Sequence, residues 1–440
     1  MPFLEQPLGN IQSSRIISSI SCLLFLMIFI SCIEDRNEKP YQEFDANGVL
    51  IAQTPLWSYN SYAGTGGSTI TPEYYDGNIM LPGSDSLGRD VINAINLNTG
   101  EKVWSWNESL IQSGLYNNSE YEISIMNKVW IFQDSRYFQA IDVETGKTIW
   151  RKELDGNIAT GVQILNDKYY TIFEFMENDT ITHPTLIAGD ILTGEYEKIV
   201  EIPLDQIQFF GFFYGATSPP RLYIENGEIF AFMVFTSNVD LYANQSLHHI
   251  MSYNVTQRKI HVDKTRVGLD TMNLPFSQRP VMYKNVMVVN PFERLYGMDK
   301  NTGEVLWERD GFGNDGSGVF TYALYKDLIF TVNKTGGTQR VMAMDPETGR
   351  TVWQDLGRGG SAESVHFLND VLYFSSRGDG HVYAYDTHNG KLLWDLTPPS
   401  GGGRFFQGYG GFRVVPGKED EKGKVIATTS KNTYCYEAER

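Results

Sequence analysis

One unit recurs along this chain from residue 53 onward, and it leaves few folds open. In its clearest form a short apolar strand ends in Ala-x-Asp, a Thr-Gly turn follows, and a second strand carries a tryptophan. The copies read Ala94-Ile95-Asn96-Leu97-Asn98-Thr99-Gly100 with Trp104; Ala140, Asp142, Thr145 and Gly146 with Trp150; and Asp299, Thr302 and Gly303 with Trp307. Two more are Ala343, Asp345, Thr348 and Gly349 with Trp353, and Ala384, Asp386 and Gly390 with Trp394. In all five, eight positions separate the acidic or amide residue from the tryptophan. Weaker copies lie between. Ala188, Asp190, Thr193 and Gly194 keep the turn but place Lys198 at the tryptophan position, and Ser252-Tyr253-Asn254 is followed by Val262. The anchors at 96, 142, 190, 254, 299, 345 and 386 are spaced by 46, 48, 64, 45, 46 and 41 residues. A period of about 40–50 residues in alternating, strand-like sequence marks propeller blades, each a four-stranded sheet.

The two ends supply an eighth copy. Asn432-Thr433-Tyr434-Cys435-Tyr436-Glu437 has the form of the Ala-x-Asp strand, and the missing tryptophan strand stands far upstream as Pro55-Leu56-Trp57-Ser58-Tyr59. The expected fold is therefore all-β: an eight-bladed propeller of four-stranded antiparallel blades, closed by pairing of N- and C-terminal strands so that no blade is left half open. Blade seven should run through strands at 363–368, 371–375, 381–386 and 391–396, with turns at Asn369-Asp370, Arg377-Gly378-Asp379-Gly380 and His388-Asn389-Gly390. The repeat residues have structural work to do. The Asp or Asn accepts backbone N–H bonds in the hairpin, and each tryptophan packs between blades, at about 3–5 kcal/mol if cut to alanine. Lys198, Val262 and the long 199–253 insertion predict that blades three and four depart most from the ring's pseudo-symmetry.

Residues 16–30 are an apolar run preceded by Arg15. It is short for a bilayer span of about 20 residues and suits a secretory signal. It ends at Ser31-Cys32 and turns polar at once. The expected organisation is a signal at 1–31, a flexible tether at 32–52, and the propeller at 53–440. Cys22 would leave with the signal, so Cys435 would have no partner for an intrachain disulfide. The net charge of -17 is unchanged without residues 1–31, because Glu5 and Arg15 cancel. That field disfavours nucleic acid and anionic lipid.

The hydrophobic run, small residue and Cys32 resemble a bacterial lipoprotein signal, which implies lipidation at Cys32 and an outer-membrane anchor facing the periplasm or the cell surface. The repeat resembles that of pyrroloquinoline-quinone-type propellers over residues 53–440. One branch of that family holds quinone-dependent dehydrogenases, with an adjacent cysteine pair and a calcium near the cofactor. No Cys-Cys pair and no Cys-x-x-Cys-His occurs here. The other branch is non-catalytic and includes the propeller lipoprotein of the outer-membrane β-barrel assembly machinery. The resemblance implies a protein-binding scaffold of the cell envelope with no cofactor, no metal and no catalytic residue. The alternatives are a quinone-dependent oxidoreductase and a carbohydrate-binding surface lipoprotein.

Two stretches are candidates for binding. Gln208–Tyr214 carries Phe209, Phe210, Phe212, Phe213 and Tyr214, which suit either an innermost strand or an aromatic platform at the rim. Residues 401–412 combine five glycines and Gly411 with Arg404, Phe405, Phe406 and Tyr409, which suits recognition or a linker between blades. Residues 310–318 lack the spacing of a calcium loop, and His248-His249 has no companions at metal-ligand spacing.

Overall fold

The computed structural model describes residues 41–60, 69–85, 89–108, 115–117, 125–134, 137–153, 156–158, 161–178, 181–203, 218–240, 245–270, 279–290, 294–310, 321–335, 338–358, 362, 364–376, 378–399, 405, 411–418, 421–429 and 431–440. None of these residues is helical. The described strands lie in the unit Gln42–Arg440 and form eight sheets, an eight-bladed propeller of antiparallel blades. Blade one is built from Glu73–Tyr75, Asn78–Ser84, Asp90–Asn96 and Lys102–Trp106. Blade seven consists of Val365–Leu368, Val371–Ser375, Val382–Asp386 and Leu392–Leu396, close to the strands its alternation predicts. The core is divided. Eight hydrophobic clusters fill the eight junctions between neighbouring blades.

Closure is by strand exchange between the termini. Asn432–Glu437 pairs on one edge with Lys424–Thr428 and on the other with Trp57–Asn60, placing Trp57 opposite Cys435. The end of the chain also grips blade seven. Glu439 accepts a 2.8 Å bond from Trp394 Nε1, its backbone N–H donates to the Tyr373 hydroxyl, and Arg440 donates to Asp386 at 2.8 Å.

The segment expected to be a tether contributes structure. Gln42–Phe44 and Leu50–Gln53 form a hairpin, and its second strand lies parallel against Leu392–Leu396 with Leu50 opposite Trp394. Asp45 makes the turn by accepting from the N–H groups of Asn47 and Val49, both at 2.8 Å. Burial of Val49 and Leu50 repays ordering the hairpin by about 1.5–3 kcal/mol for each side chain.

The tryptophans dock each blade onto the next. Nε1 donates from Trp57 to Leu97 O, from Trp104 to Val143 O, from Trp150 to Ile191 O, from Trp307 to Pro346 O and from Trp353 to Thr387 O, at 2.8–3.0 Å. The indole lies over the Thr-Gly turn of the receiving blade. At Gly146 φ is +68°, and a Cβ would lie 2.4 Å from the Trp104 ring, so glycine is required for both conformation and space. The turn itself is pinned by its acid: Asp142 Oδ1 accepts from the N–H groups of Glu144 and Thr145 at 2.9 and 2.8 Å. Asn96, Asp190, Asp299 and Asp345 accept the same pair of bonds, whereas Asp386 accepts from His388 N and Arg440.

Blades three and four break the pattern. In blades one, two, five, six and seven the register of the two outer strands slips two residues before the anchor, as between Ala140 and Ile141. In blade three it slips between Leu186 and Ile187, so Lys198 pairs with Ile187. Cross-strand partners share a face, and Ile187 packs against blade two. The displaced bulge therefore turns Lys198 away from blade four, and Val200, opposite Leu186, packs toward it instead. The receiving turn has changed with it. Arg258, with φ +54°, stands where the other turns have glycine, and its Cβ would obstruct an indole. Val262 keeps the docking position of blade four, with its Cγ1 2.8 Å from a Cβ built on Gly303.

Candidate functional site

The topology sorts the connections onto two faces. First-to-second and third-to-fourth strand turns emerge on one side of the ring. Second-to-third hairpins and the links between blades emerge on the other. Five turns on the first side are tight: Asp76-Gly77, Asn127-Lys128, Asn166-Asp167, Asn226-Gly227 and Asn369-Asp370 all have positive φ at both central residues, as two-residue hairpins with right-handed twist require. Neighbouring turns are joined by polar bonds, Asn127 to Asp167 at 2.7 Å and Tyr283 to Asp327 at 3.1 Å, and by the Lys326–Asp370 ion pair. On the second side the outermost strand of one blade ends and the innermost strand of the next begins, as at Glu201 and Arg221 and at Leu396 and Phe412. Recognition groups on such a scaffold belong on its loops.

On this loop face the innermost strands begin around the ring's axis, and their first residues form a polar girdle. Arg413 of blade eight pairs with Glu73 of blade one at 3.3 Å, with Glu73 almost fully buried. Gln163 of blade three accepts from Leu222 N of blade four at 2.8 Å. Tyr322 of blade six donates to Arg279 O at 3.2 Å, and Arg279 donates to Val162 O of blade three at 3.3 Å. Thr321 donates to Ala362 O toward blade seven. Beside Arg413, His366 is held down to about 3, chiefly by burial and further by that guanidinium, so it is neutral at physiological pH. The girdle is a set of cross-ties between blades and gives the loop face a rigid base.

The face is uneven. Blades three and four carry the longest strands, Lys168–Asn178 and Glu228–Asp240 of 11 and 13 residues, against 5 in the second strand of blade seven. At about 3.3 Å per residue these strands reach roughly 20 and 26 Å further toward the loop side. Glu174 lies in this sector, facing blade four on the same side of its strand as Tyr170 and Ile172. Burial pushes its carboxyl up to about 7.

Of the sequence candidates, Phe209, Phe210, Phe212, Phe213, Tyr214, Arg404, Phe406, Tyr409 and Cys32 lie outside the described residues. Phe405 is corrected. It is 1 % exposed, bridges to Thr429, and packs edge-on against Tyr434 and Tyr436, so it is core of the closing junction rather than a presented side chain. The sequence reading missed the girdle because its members come from separate blades with no common spacing. Buried Cys435 sits in the closing strand with its thiol pushed up to about 12 by burial. Among the described residues no group of three His, Cys, Asp or Glu is placed to hold a metal ion.

Residues 276–404 match the family described as outer membrane protein assembly factor BamB. The tetrathionate hydrolase of Acidithiobacillus ferrooxidans is 24% identical over 327 residues, which span 68% of this chain and 62% of that protein. Among solved structures, BamB from Moraxella catarrhalis superposes with a TM-score of 0.51 at 14% identity, covering 88% of this chain and 99% of that one. Quinohemoprotein alcohol dehydrogenase from Comamonas testosteroni superposes with a TM-score of 0.58 at 13% identity, covering 87% and 76%. At these identities the structural likeness is one of fold.

Proposed function

We propose that this chain, a pyrroloquinoline-quinone-like repeat propeller similar to BamB, is a non-catalytic scaffold of the cell envelope that binds an outer-membrane protein through its loop face. One observation carries the reading: two-residue turns, several tied to their neighbours by polar bonds, occupy much of one face, while the longest strands, in blades three and four, project toward the other. A ring locked at its junctions by docked indoles and buried girdle bonds holds such loops in fixed relative positions, which lowers the ordering cost of binding. The family match over residues 276–404 supports an envelope role. The Ser31-Cys32 signal supports a lipid anchor at Cys32 in the outer membrane.

The test is a mild-detergent pull-down of the membrane-anchored protein from its native host, read by mass spectrometry, alongside a Cys32→Ser variant. The scaffold reading expects outer-membrane assembly subunits in fixed ratio with the wild type, and release of the variant from the membrane fraction. Recovery of the bare protein, with stoichiometric uptake of pyrroloquinoline quinone and calcium, would replace it with the oxidoreductase reading.

A further inference from the structure

We propose that a concave surface on the outer part of blade three, centred on Lys198, binds the carboxylate-bearing sugar units (uronates) of a glycan. The proposal goes beyond the scaffold reading and stands without it.

The site is a product of the displaced bulge. At the equivalent position of blades one, two, five, six, seven and eight the side chain is a tryptophan directed into the next junction. Here the slip between Leu186 and Ile187 directs Lys198 to the surface. Its ammonium rests 3.6 Å from the centre of the Phe175 ring, and among the described residues it meets no carboxylate. Beside it His183 Nδ1 and Glu201 are paired at 2.7 Å. With Thr185 and Val200 these residues line a hollow of about 470 Å³, within the roughly 300–1,000 Å³ of small-molecule sites.

The chemistry of this wall selects its ligand. Lys198 offers N–H donors to an anion, and Glu201 beside it offers acceptors. A ligand that satisfies both carries a carboxylate and a hydroxyl on one small frame. A phosphate dianion would bring twice the charge of a carboxylate toward Glu201, and an alkyl carboxylate would offer no donor to the Glu201 oxygen that His183 does not engage. A uronate supplies the carboxylate to Lys198 and a ring hydroxyl to Glu201, and its C–H face meets the apolar edge of Phe175.

The test is titration calorimetry of the full chain in detergent with a galacturonate trimer and, as a neutral control, a galactose trimer. The wild type, Lys198→Glu and Phe175→Ala are compared. Lys198 is exposed, so its variant keeps the fold, which circular dichroism checks. Uronate affinity should fall at least about tenfold in Lys198→Glu, since a charge-assisted contact becomes a repulsive one, and the neutral trimer should bind at least about tenfold more weakly than the uronate. Phe175→Ala should also weaken the uronate. A wild type that does not bind the uronate, a Lys198→Glu protein that binds it as tightly, or a neutral trimer of equal affinity overturns the proposal.

Discussion

Replacing Glu174 with glutamine should stabilise the protein above neutral pH and do so much less in mild acid. Glu174 lies 7 % exposed in the one junction where both the docking indole and its receiving glycine are gone. Burial raises its carboxyl from 4.5 to about 7. The folded state therefore favours the neutral acid. Its contribution is fully present below the unfolded value near 4.5, is lost as pH rises toward 7, and becomes a constant penalty above that. At 1.36 kcal/mol per unit the full penalty is about 3 kcal/mol, of which about 1 has already developed by pH 5. Glutamine has nearly the same shape and carries no ionisation cost. Denaturant unfolding of both proteins from pH 5 to 8 reads the difference directly. The stability gap should widen by about 2.5 kcal/mol over that range. A gap that is constant with pH, or a wild type more stable than Glu174→Gln at pH 8, would refute the reasoning.

Other expectations concern the junctions. Gly146→Ala should cost more than about 2 kcal/mol, but only about 1 kcal/mol in a Trp104→Ala background, because the steric part disappears with the ring; equal costs in both backgrounds would show that the indole does not occupy that space. Deleting residues 432–440 removes the strand that joins Trp57–Asn60 to blade eight, and should sharply lower the melting temperature; an unchanged midpoint contradicts terminal closure. Arg413→Met leaves Glu73 buried without its cation and should cost about 3–5 kcal/mol, with much of that recovered in the Glu73→Gln, Arg413→Met double variant. Additive losses in that cycle would mean the pair does not couple.

Much of the ring was legible because the Ala-x-Asp…Trp spacing reports a local hairpin, and Trp104 and Gly146 are forced by the same contact. Closure was legible too, since Trp57 and Asn432–Glu437 are halves of one familiar unit. What escaped was set by register and by contacts far apart in sequence. No residue type marks the slip at Leu186, so Lys198 read as an eroded tryptophan inside a junction rather than a surface cation. The Gln42–Gln53 hairpin was hidden because Val49-Leu50-Ile51 is too short to stand out, although Asp45-Ala46-Asn47-Gly48 is a good turn; its stability comes from the edge of blade seven. Phe405 looked like recognition chemistry beside so many glycines, and only its packing on Tyr434 and Tyr436 shows it to be core. The axial girdle joins Glu73 to Arg413 across the whole chain, which no local pattern reveals.

The central claim, that partners are held on the loop face, can be tested by site-specific photo-cross-linking in the native host. A benzophenone side chain would replace Glu153 or Thr338 on the loop face, and Glu144 or Glu347 on the turn face, all four exposed. The account predicts cross-links to an outer-membrane protein from Glu153 or Thr338 and none from Glu144 or Glu347. Cross-links confined to the turn-face positions would contradict it.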